Sequence, residues 1–114
     1  MTFLFGDVVL VPFPFTDQSG VKKRPAVVVS SHHYNATRRN LLIMAITSQV
    51  RQPLAFGEVS VFDWQAAGLV KPSVLKPILT TLEQGLVIRQ MGRLSLNDLQ
   101  ALQKNMAQII GENT

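Results

Sequence analysis

The chain alternates short apolar runs with turns rich in proline, glycine and polar residues. This alternation restricts the chain to a small number of folds. The runs are enriched in β-branched residues, which favour strands. They predict strands over residues 7–11, 25–31, 41–48, 57–62, 73–76, 78–82 and 86–89. Residues 12–24 read as a loop and residues 32–40 as a polar turn, while Pro77 separates two of the strands. Residues 63–68 read as a single helical turn.

The clearest helical pattern lies near the C-terminal end. Ser95 and Asp98 resemble a capping box, and Gly111 is a typical stop signal. Between them an apolar stripe recurs at helical spacing and is expected to pack on the core: Leu96, Leu99, Leu102, Met106, Ile109 and Ile110. Many short strands with one terminal helix predict a mainly β fold, either a small barrel or a strongly bent sheet, that carries a C-terminal helix.

Composition narrows the range of functions. The chain has 114 residues, about the size of one domain, and its 46% hydrophobic content argues against disorder. Without cysteine it has no disulfide, thiolate zinc site or cysteine nucleophile, and we expect a reducing compartment. We recognise no signal peptide, and no uncharged stretch approaches the length of a membrane span.

The positive charge is concentrated in one segment. The net charge is only +4, but residues 18–57 contain no Asp or Glu. The bases of this segment are Lys22, Lys23, Arg24, Arg38, Arg39 and Arg51. Such a local positive field attracts phosphate, although a solvated basic face without a ligand has the same pattern.

Two polar positions are expected to meet across a hairpin. If residues 25–31 pair with residues 41–48, paired residue numbers sum to about 71–72, which places Val28 near Ile43 and Arg24 near Thr47. Pro25 biases the backbone of Arg24 toward an extended conformation. A guanidinium beside the hydroxyls of Thr47 and Ser48 could bind phosphate, or Arg24 could be an ordinary exposed arginine.

Other candidates are weaker. His32 and His33 are adjacent, fall at the opposite end of the hairpin, and read as exposed turn residues. Two histidines without clustered carboxylates give no metal-ligand spacing, so no metal or other cofactor is predicted. Phe13 and Phe15 are equally suited to stacking on unpaired bases and to anchoring the loop on the core, whereas Trp64 reads as a core residue.

Together these segments resemble the MazF/PemK toxin family. The resemblance is carried by GDVVLVPFPFTDQSGVKKRPAVVVSS at 6–31, AITSQ at 45–49, GLVKPSVLKP at 68–77 and MGRLSLNDLQAL at 91–102, in the order the family has them. It implies one domain over residues 1–114 with an SH3-like barrel and a C-terminal helix. It also implies a cytoplasmic homodimer, and a cognate antitoxin that blocks the RNA groove.

By position, Arg24 and Thr47 match the two residues that the family uses for cleavage. Ser73 matches a serine that lines the RNA groove in relatives, and the loop 13–20 matches a loop that covers the substrate. We therefore expect an RNA-binding set around the pair: Phe15, Lys22, Lys23, Ser48, Gln49, Arg51, Ser73 and Lys76. Lys76 and Pro77 stand where many relatives have a longer polar stretch, a departure that bears on base specificity.

The implied activity is ribosome-independent and metal-independent cleavage of single-stranded RNA at specific sequences. The products would carry 2′,3′-cyclic phosphate and 5′-hydroxyl ends. A guanidinium suits charge stabilisation and proton donation better than proton acceptance, because it stays protonated. Two alternatives remain open on the same barrel: a non-enzymatic toxin that binds DNA gyrase, and a nucleic-acid-binding barrel without catalysis.

Overall fold

Six antiparallel strands form one sheet in the part of the chain that the computed structural model describes, residues 2–13 and 22–111. The strands are β1 Asp7–Phe13, β2 Lys22–Val28, β3 Asn40–Thr47, β4 Val59–Ser60, β5 Val74–Glu83 and β6 Arg89–Arg93. Two helices accompany them, α1 His32–Thr37 and α2 Leu96–Ile109. A short 3₁₀ turn, Gln84–Leu86, joins β5 to the segment before β6.

The sheet is curled and buries apolar side chains on both of its faces. Its strand order is β4-β5-β3-β2-β1-β6, and it forms a half-barrel. Alternation along β1 sends Val9, Val11 and Phe13 into one core cluster and Val8 into the other, which α2 covers. The predicted mainly β fold with a C-terminal helix is confirmed.

The predicted hairpin has the expected register. Ala26, Val27 and Val28 of β2 pair with Ala45, Met44 and Ile43 of β3, so paired residue numbers sum to 71. The middle of β3 is buried on both faces as predicted, although Leu42 is exposed.

Helix α2 begins and ends close to the predicted positions. The Ser95 hydroxyl accepts from the Asp98 N–H, as an N-cap does. The Asp98 carboxylate does not complete a capping box; it accepts from the N–H groups of Phe62 and Asp63 and so fastens α2 to the preceding loop. Leu102 is fully buried as expected, whereas Leu96 is exposed, contrary to the prediction.

The structure differs from the sequence prediction in several other places. The strand predicted over 86–89 begins only at Arg89, as β6, and the strand predicted over 57–62 is limited to β4, Val59–Ser60. Residues 32–37, predicted as a turn, form α1, which Ser31 caps by accepting from the Tyr34 N–H. The predicted loop 12–24 is shorter, because β1 extends to Phe13 and β2 begins at Lys22. Strand β5 continues through Pro77, since the β3–β5 register shifts between Met44 and Ile46 and accommodates a residue without an N–H.

Two aromatic predictions can be checked. Phe13 is fully buried in the core. Of its two predicted roles, burial favours packing on the core over stacking on bases. Trp64 packs against the other core cluster, as predicted. No helix within residues 2–13 and 22–111 is long and apolar enough to span a membrane.

Candidate functional site

The hairpin of β2 and β3 brings Arg24 and Thr47 to the same level of the sheet. Continuing the observed register by two residues places Arg24 opposite Thr47. Directly opposed residues of an antiparallel pair project from the same face. Arg24 pairs with Val11 of β1, so its backbone is held in the sheet while its side chain is exposed. The fold thus mounts a long cationic side chain on a rigid base.

The Thr47 hydroxyl has a defined local partner. It accepts from the N–H of Gln49 at 3.1 Å, which closes a small turn at the end of β3. A hydroxyl can accept and donate at once, and among the described residues Thr47 has no acceptor for its proton. Thr47 is therefore oriented by the backbone and keeps a proton to donate to a ligand.

Arg24 and Thr47 line one cavity, together with Ser48, Lys71 and Ser73. This cavity of about 160 Å³, hereafter the Arg24 cavity, has apolar surface from Leu69 and Met91. Its polar side chains are two cations and three hydroxyls; the Ser73 proton is engaged by the Lys71 carbonyl, and the other four groups are potential donors. Such a donor set matches the oxygens of a phosphate group.

Ser73 holds the cavity wall in shape. Its side chain is buried, and its hydroxyl donates to the Lys71 carbonyl at 2.9 Å. Because this bond occupies the hydroxyl proton, Ser73 fixes the loop that carries Lys71. The Ser73 carbonyl accepts in turn from the Val61 N–H at 2.9 Å, which ties the same loop to the core.

Two backbone segments cross closely next to this loop, one at Gly68 and the other at Gly92. Gly68 has φ +81°, and a Cβ atom at this position would collide with the Met91 carbonyl. Gly92 faces the crossing from β6, where a Cβ atom would lie 2.5 Å from the Ala67 carbonyl oxygen. Both positions therefore require glycine, since any side chain would push apart two segments that line the Arg24 cavity.

A second, larger cavity adjoins the first and shares Thr47 with it. This cavity of about 400 Å³, hereafter the Glu58 cavity, is bordered by the segment between β3 and β4 and by the start of β5. Its polar lining includes Gln49, Arg51, Glu58 and Lys76. The two cavities together carry four cationic side chains and one carboxylate.

Most of these cations are not neutralised by other described residues. Between residues of the described ranges the one ion pair joins Arg93 to Asp7 at 2.9 Å, outside both cavities. The nearby carboxylate of Glu58 accepts from a backbone N–H, that of Ala55, at 2.8 Å. Among the described residues that line the two cavities, cationic side chains outnumber carboxylates four to one, and this excess of positive charge favours an anionic ligand.

The structure brings together most of the predicted site residues. Ser48 and Ser73 lie with Arg24 and Thr47 at the first cavity, and Gln49, Arg51 and Lys76 line the second.

Three predicted residues are not placed at either cavity. Lys22 and Lys23 are exposed on β2, opposite Phe13 and Pro12, and line neither cavity. Phe15 lies outside the described residues. The histidines belong to α1, and His32 borders a different depression beside α2, so neither histidine joins the site. No group of three or more His, Asp or Glu side chains suited to a metal ion occurs within the described ranges.

Sequence reasoning missed two residues of this surface. Lys71 adds a cation to the Arg24 cavity. It stands two positions before Ser73, within the segment 68–77 that contributes to the family resemblance. Glu58 is the first carboxylate after the acid-free segment 18–57, and the fold places it among cations. A search for the residue that ends this segment could have found it.

Comparison with known proteins identifies the family. A family model described as "PemK-like, MazF-like toxin of type II toxin-antitoxin system" matches residues 5–110. The chain belongs to this toxin family. Members of the MazF family are generally endoribonucleases. The comparison with curated proteins gives no match.

Solved structures of MazF toxins share the fold. Mycobacterium tuberculosis toxin MazF-mt6 is 22% identical with a TM-score of 0.71, over 90% of this chain and 93% of that one. A mycobacterial endoribonuclease in complex with its cognate antitoxin is 15% identical with a TM-score of 0.77, over 98% of both chains. A MazE-MazF structure from Deinococcus radiodurans is 21% identical with a TM-score of 0.72, over 99% and 100%. These likenesses confirm the predicted toxin barrel with its C-terminal helix.

Proposed function

We propose that this toxin is an endoribonuclease that cleaves single-stranded RNA at specific sequences, without ribosomes and without a metal ion. The observation that carries the proposal is that Arg24 and Thr47 line one cavity of a positively charged surface. The β2–β3 register, continued by two residues, supports their juxtaposition. Membership of a family that generally cleaves RNA supports the same conclusion.

The proposed reaction is a transesterification within the RNA strand. The ribose 2′-hydroxyl loses its proton, its oxygen bonds to the adjacent phosphorus, and the bond from phosphorus to the 5′ oxygen breaks. The leaving oxygen gains a proton, so the products are a 2′,3′-cyclic phosphate and a 5′-hydroxyl, and no water is consumed. Water can accept the proton lost by the 2′-hydroxyl, and the protein must stabilise the crowded phosphorane and supply the proton to the leaving oxygen.

Residues of the Arg24 cavity suit these tasks. The Arg24 guanidinium offers a planar fork of donors to the phosphorane oxygens and can protonate the leaving oxygen. Thr47, oriented by the Gln49 N–H, donates a hydrogen bond from its hydroxyl to a phosphate oxygen. Lys71 adds positive charge at the same cavity. Donors that are fixed before the reaction are effective because they need no reorganisation as charge develops.

The proposed partners follow from the same surface. A cognate antitoxin would inhibit by covering the cationic cavities, since RNA and an acidic antitoxin segment would compete for them. Two of the structural relatives were solved with antitoxins. We further propose that the toxin acts in the cytoplasm and that it is a homodimer. Sedimentation analysis of the purified protein would test the oligomeric state.

Cleavage of a long RNA by purified protein, in EDTA and without ribosomes, tests the proposal. Wild-type protein should yield discrete fragments with cyclic phosphate ends. Arg24→Ala should cleave at least about 100-fold more slowly, as expected when a fixed donor is lost. Arg39→Ala is the matched control, because Arg39 is exposed at the opposite end of the same hairpin. It should cleave at the wild-type rate.

Four results would contradict the proposal. Random degradation, or cleavage that survives Arg24→Ala, would show that the fragments do not arise at this site. An RNA-inert protein that stalls DNA gyrase would identify the non-enzymatic class. Salt-sensitive RNA binding without any product would identify a barrel that binds nucleic acid without catalysis.

A further inference from the structure

Glu58 is held in one position by the turn that it closes. Its N–H donates to the Ala55 carbonyl at 3.1 Å, and its Oε1 accepts from the Ala55 N–H at 2.8 Å. The intervening Gly57 has φ +89° and lies against Pro77 and Ile109. These contacts fix both the backbone and the carboxylate, so Glu58 is preorganised rather than a freely rotating surface side chain.

The second carboxylate oxygen of Glu58 remains available to a ligand. Within the described ranges no donor contacts Oε2, although Glu58 lines the same cavity as Gln49 and Lys76. A carboxylate accepts hydrogen bonds and cannot donate them. The cavity therefore presents an acceptor next to donors, in contrast to the Arg24 cavity, which has no carboxylate among its described lining residues.

This carboxylate determines which part of an RNA the Glu58 cavity can favour. A phosphate would be repelled by Glu58, whereas the exocyclic amino group of a base would be attracted. Cytosine, adenine and guanine carry such a group and uracil does not; the N3–H donor of uracil is flanked by two carbonyl oxygens, which a carboxylate repels. Apolar surface from Val50, Pro53 and Leu54 suits the faces of a base, and about 400 Å³ accommodates one.

The position of the cavity indicates which base it would bind. Thr47 lines both cavities, so a phosphate bound beside Arg24 and a base bound beside Glu58 would occupy adjoining sites. Adjoining sites suit neighbouring parts of one RNA strand. We propose that the Glu58 cavity binds a base flanking the scissile phosphate, and that Glu58 selects an amino-bearing base over uracil. This inference rests on the proposed endoribonuclease function.

Substitution by glutamine separates base recognition from turn closure. In Glu58→Gln the amide oxygen can still accept from the Ala55 N–H, so the turn and the melting temperature should be preserved. The amide nitrogen then replaces an acceptor by a donor. A donor favours the carbonyl groups of uracil or guanine. The base preference of the cavity should therefore shift toward these bases and not simply weaken.

Cut-site mapping on a random-sequence RNA provides the test. Wild-type protein should discriminate against uracil at one position next to the cut by about 10- to 100-fold, the range of one good contact to a base edge. In Glu58→Gln this discrimination should fall about tenfold or reverse. Preferences at the other positions should be unchanged. Glu83→Gln is the matched control, because Glu83 is exposed at the end of β5 and lines neither cavity.

A second variant, Glu58→Ala, removes the carboxylate but keeps the backbone bond to Ala55. It should cleave with all four bases at the discriminating position and bind oligouridine more tightly, because the repulsion of phosphate is lost. If wild-type protein cleaves RNA but tolerates uracil on both sides of the cut, the inference is wrong. It is equally wrong if both Glu58 variants keep the wild-type cut sites. Failure of the wild-type protein to cleave any RNA would instead overturn the proposed function.

Discussion

Replacing Thr47 by valine removes one hydroxyl group while nearly preserving the volume of the side chain. In the folded protein this hydroxyl accepts a single bond, from the Gln49 N–H at 3.1 Å, in an exposed turn. Water can replace that partner, so the free energy of unfolding should fall by about 1 kcal/mol or less. Native domains have stabilities of about 5–15 kcal/mol, and Thr47→Val should therefore remain folded.

The effect on cleavage should be much larger than the effect on stability. If Thr47 donates to the phosphorane, its loss removes a fixed donor, which typically contributes about 3–4 kcal/mol to the transition state. Each 1.36 kcal/mol is a factor of ten in rate, so cleavage should slow by about 100- to 1,000-fold. Affinity for RNA should change by less than about tenfold, since one neutral hydrogen bond has a small net effect.

Single-turnover cleavage with excess enzyme, RNA binding and thermal unfolding measure the three quantities separately. Thr47→Ser keeps the hydroxyl and should retain cleavage within about tenfold of wild type. Thr80→Val applies the same substitution on β5 outside both cavities and should have no effect on cleavage. A folded Thr47→Val protein that cleaves at the wild-type rate would refute the role of Thr47. So would a folded Thr47→Ser protein as inactive as the valine variant.

Two further substitutions test the walls of the Arg24 cavity. Lys71→Gln should weaken RNA binding and reduce the slope of log K against log salt by about 0.7, the contribution of one phosphate contact on a single strand. Lys104→Gln, on the exposed side of α2, should leave that slope unchanged; equal slopes for Lys71→Gln and wild type would remove Lys71 from the interface. Gly68→Ala should lower the free energy of unfolding by at least about 1–3 kcal/mol, because φ is +81° and the new Cβ would meet the Met91 carbonyl. Chemical denaturation measures this loss, and Gly85→Ala, with open space around it, should not show it; equal stabilities would contradict the packing described for the crossing.

The hairpin shows how much of the candidate site could be predicted from sequence. The register that joins Val28 to Ile43 followed from two apolar strands and a connection of known length, and it led directly to Arg24 and Thr47. Helix α2 was equally predictable from the sequence, because the Ser95 cap is a local signal and the buried Leu102 belongs to a periodic one.

The misses have long-range causes. Helix α1 has only six residues, and buried Asn35 anchors it by donating to the Phe3 and Ser30 carbonyls, the first of which is far away in sequence. Strand β5 passes through Pro77 because β3 shifts its register there, a feature of the partner strand. Glu58 and Lys71 join the candidate site only because the curled sheet brings their loops beside Thr47. No local pattern encodes such juxtapositions.

Cleavage of an RNA that carries a single 2′-deoxynucleotide at a mapped cut site tests the proposed chemistry without any change to the protein. The attacking oxygen would be missing at that one position. The account predicts that this site is no longer cut, while other sites in the same strand are cut at their usual rates into fragments with cyclic phosphate ends. Cleavage at the deoxy position, leaving a 3′-hydroxyl and a 5′-phosphate, would show that water is the nucleophile and would contradict the transesterification assigned to Arg24 and Thr47.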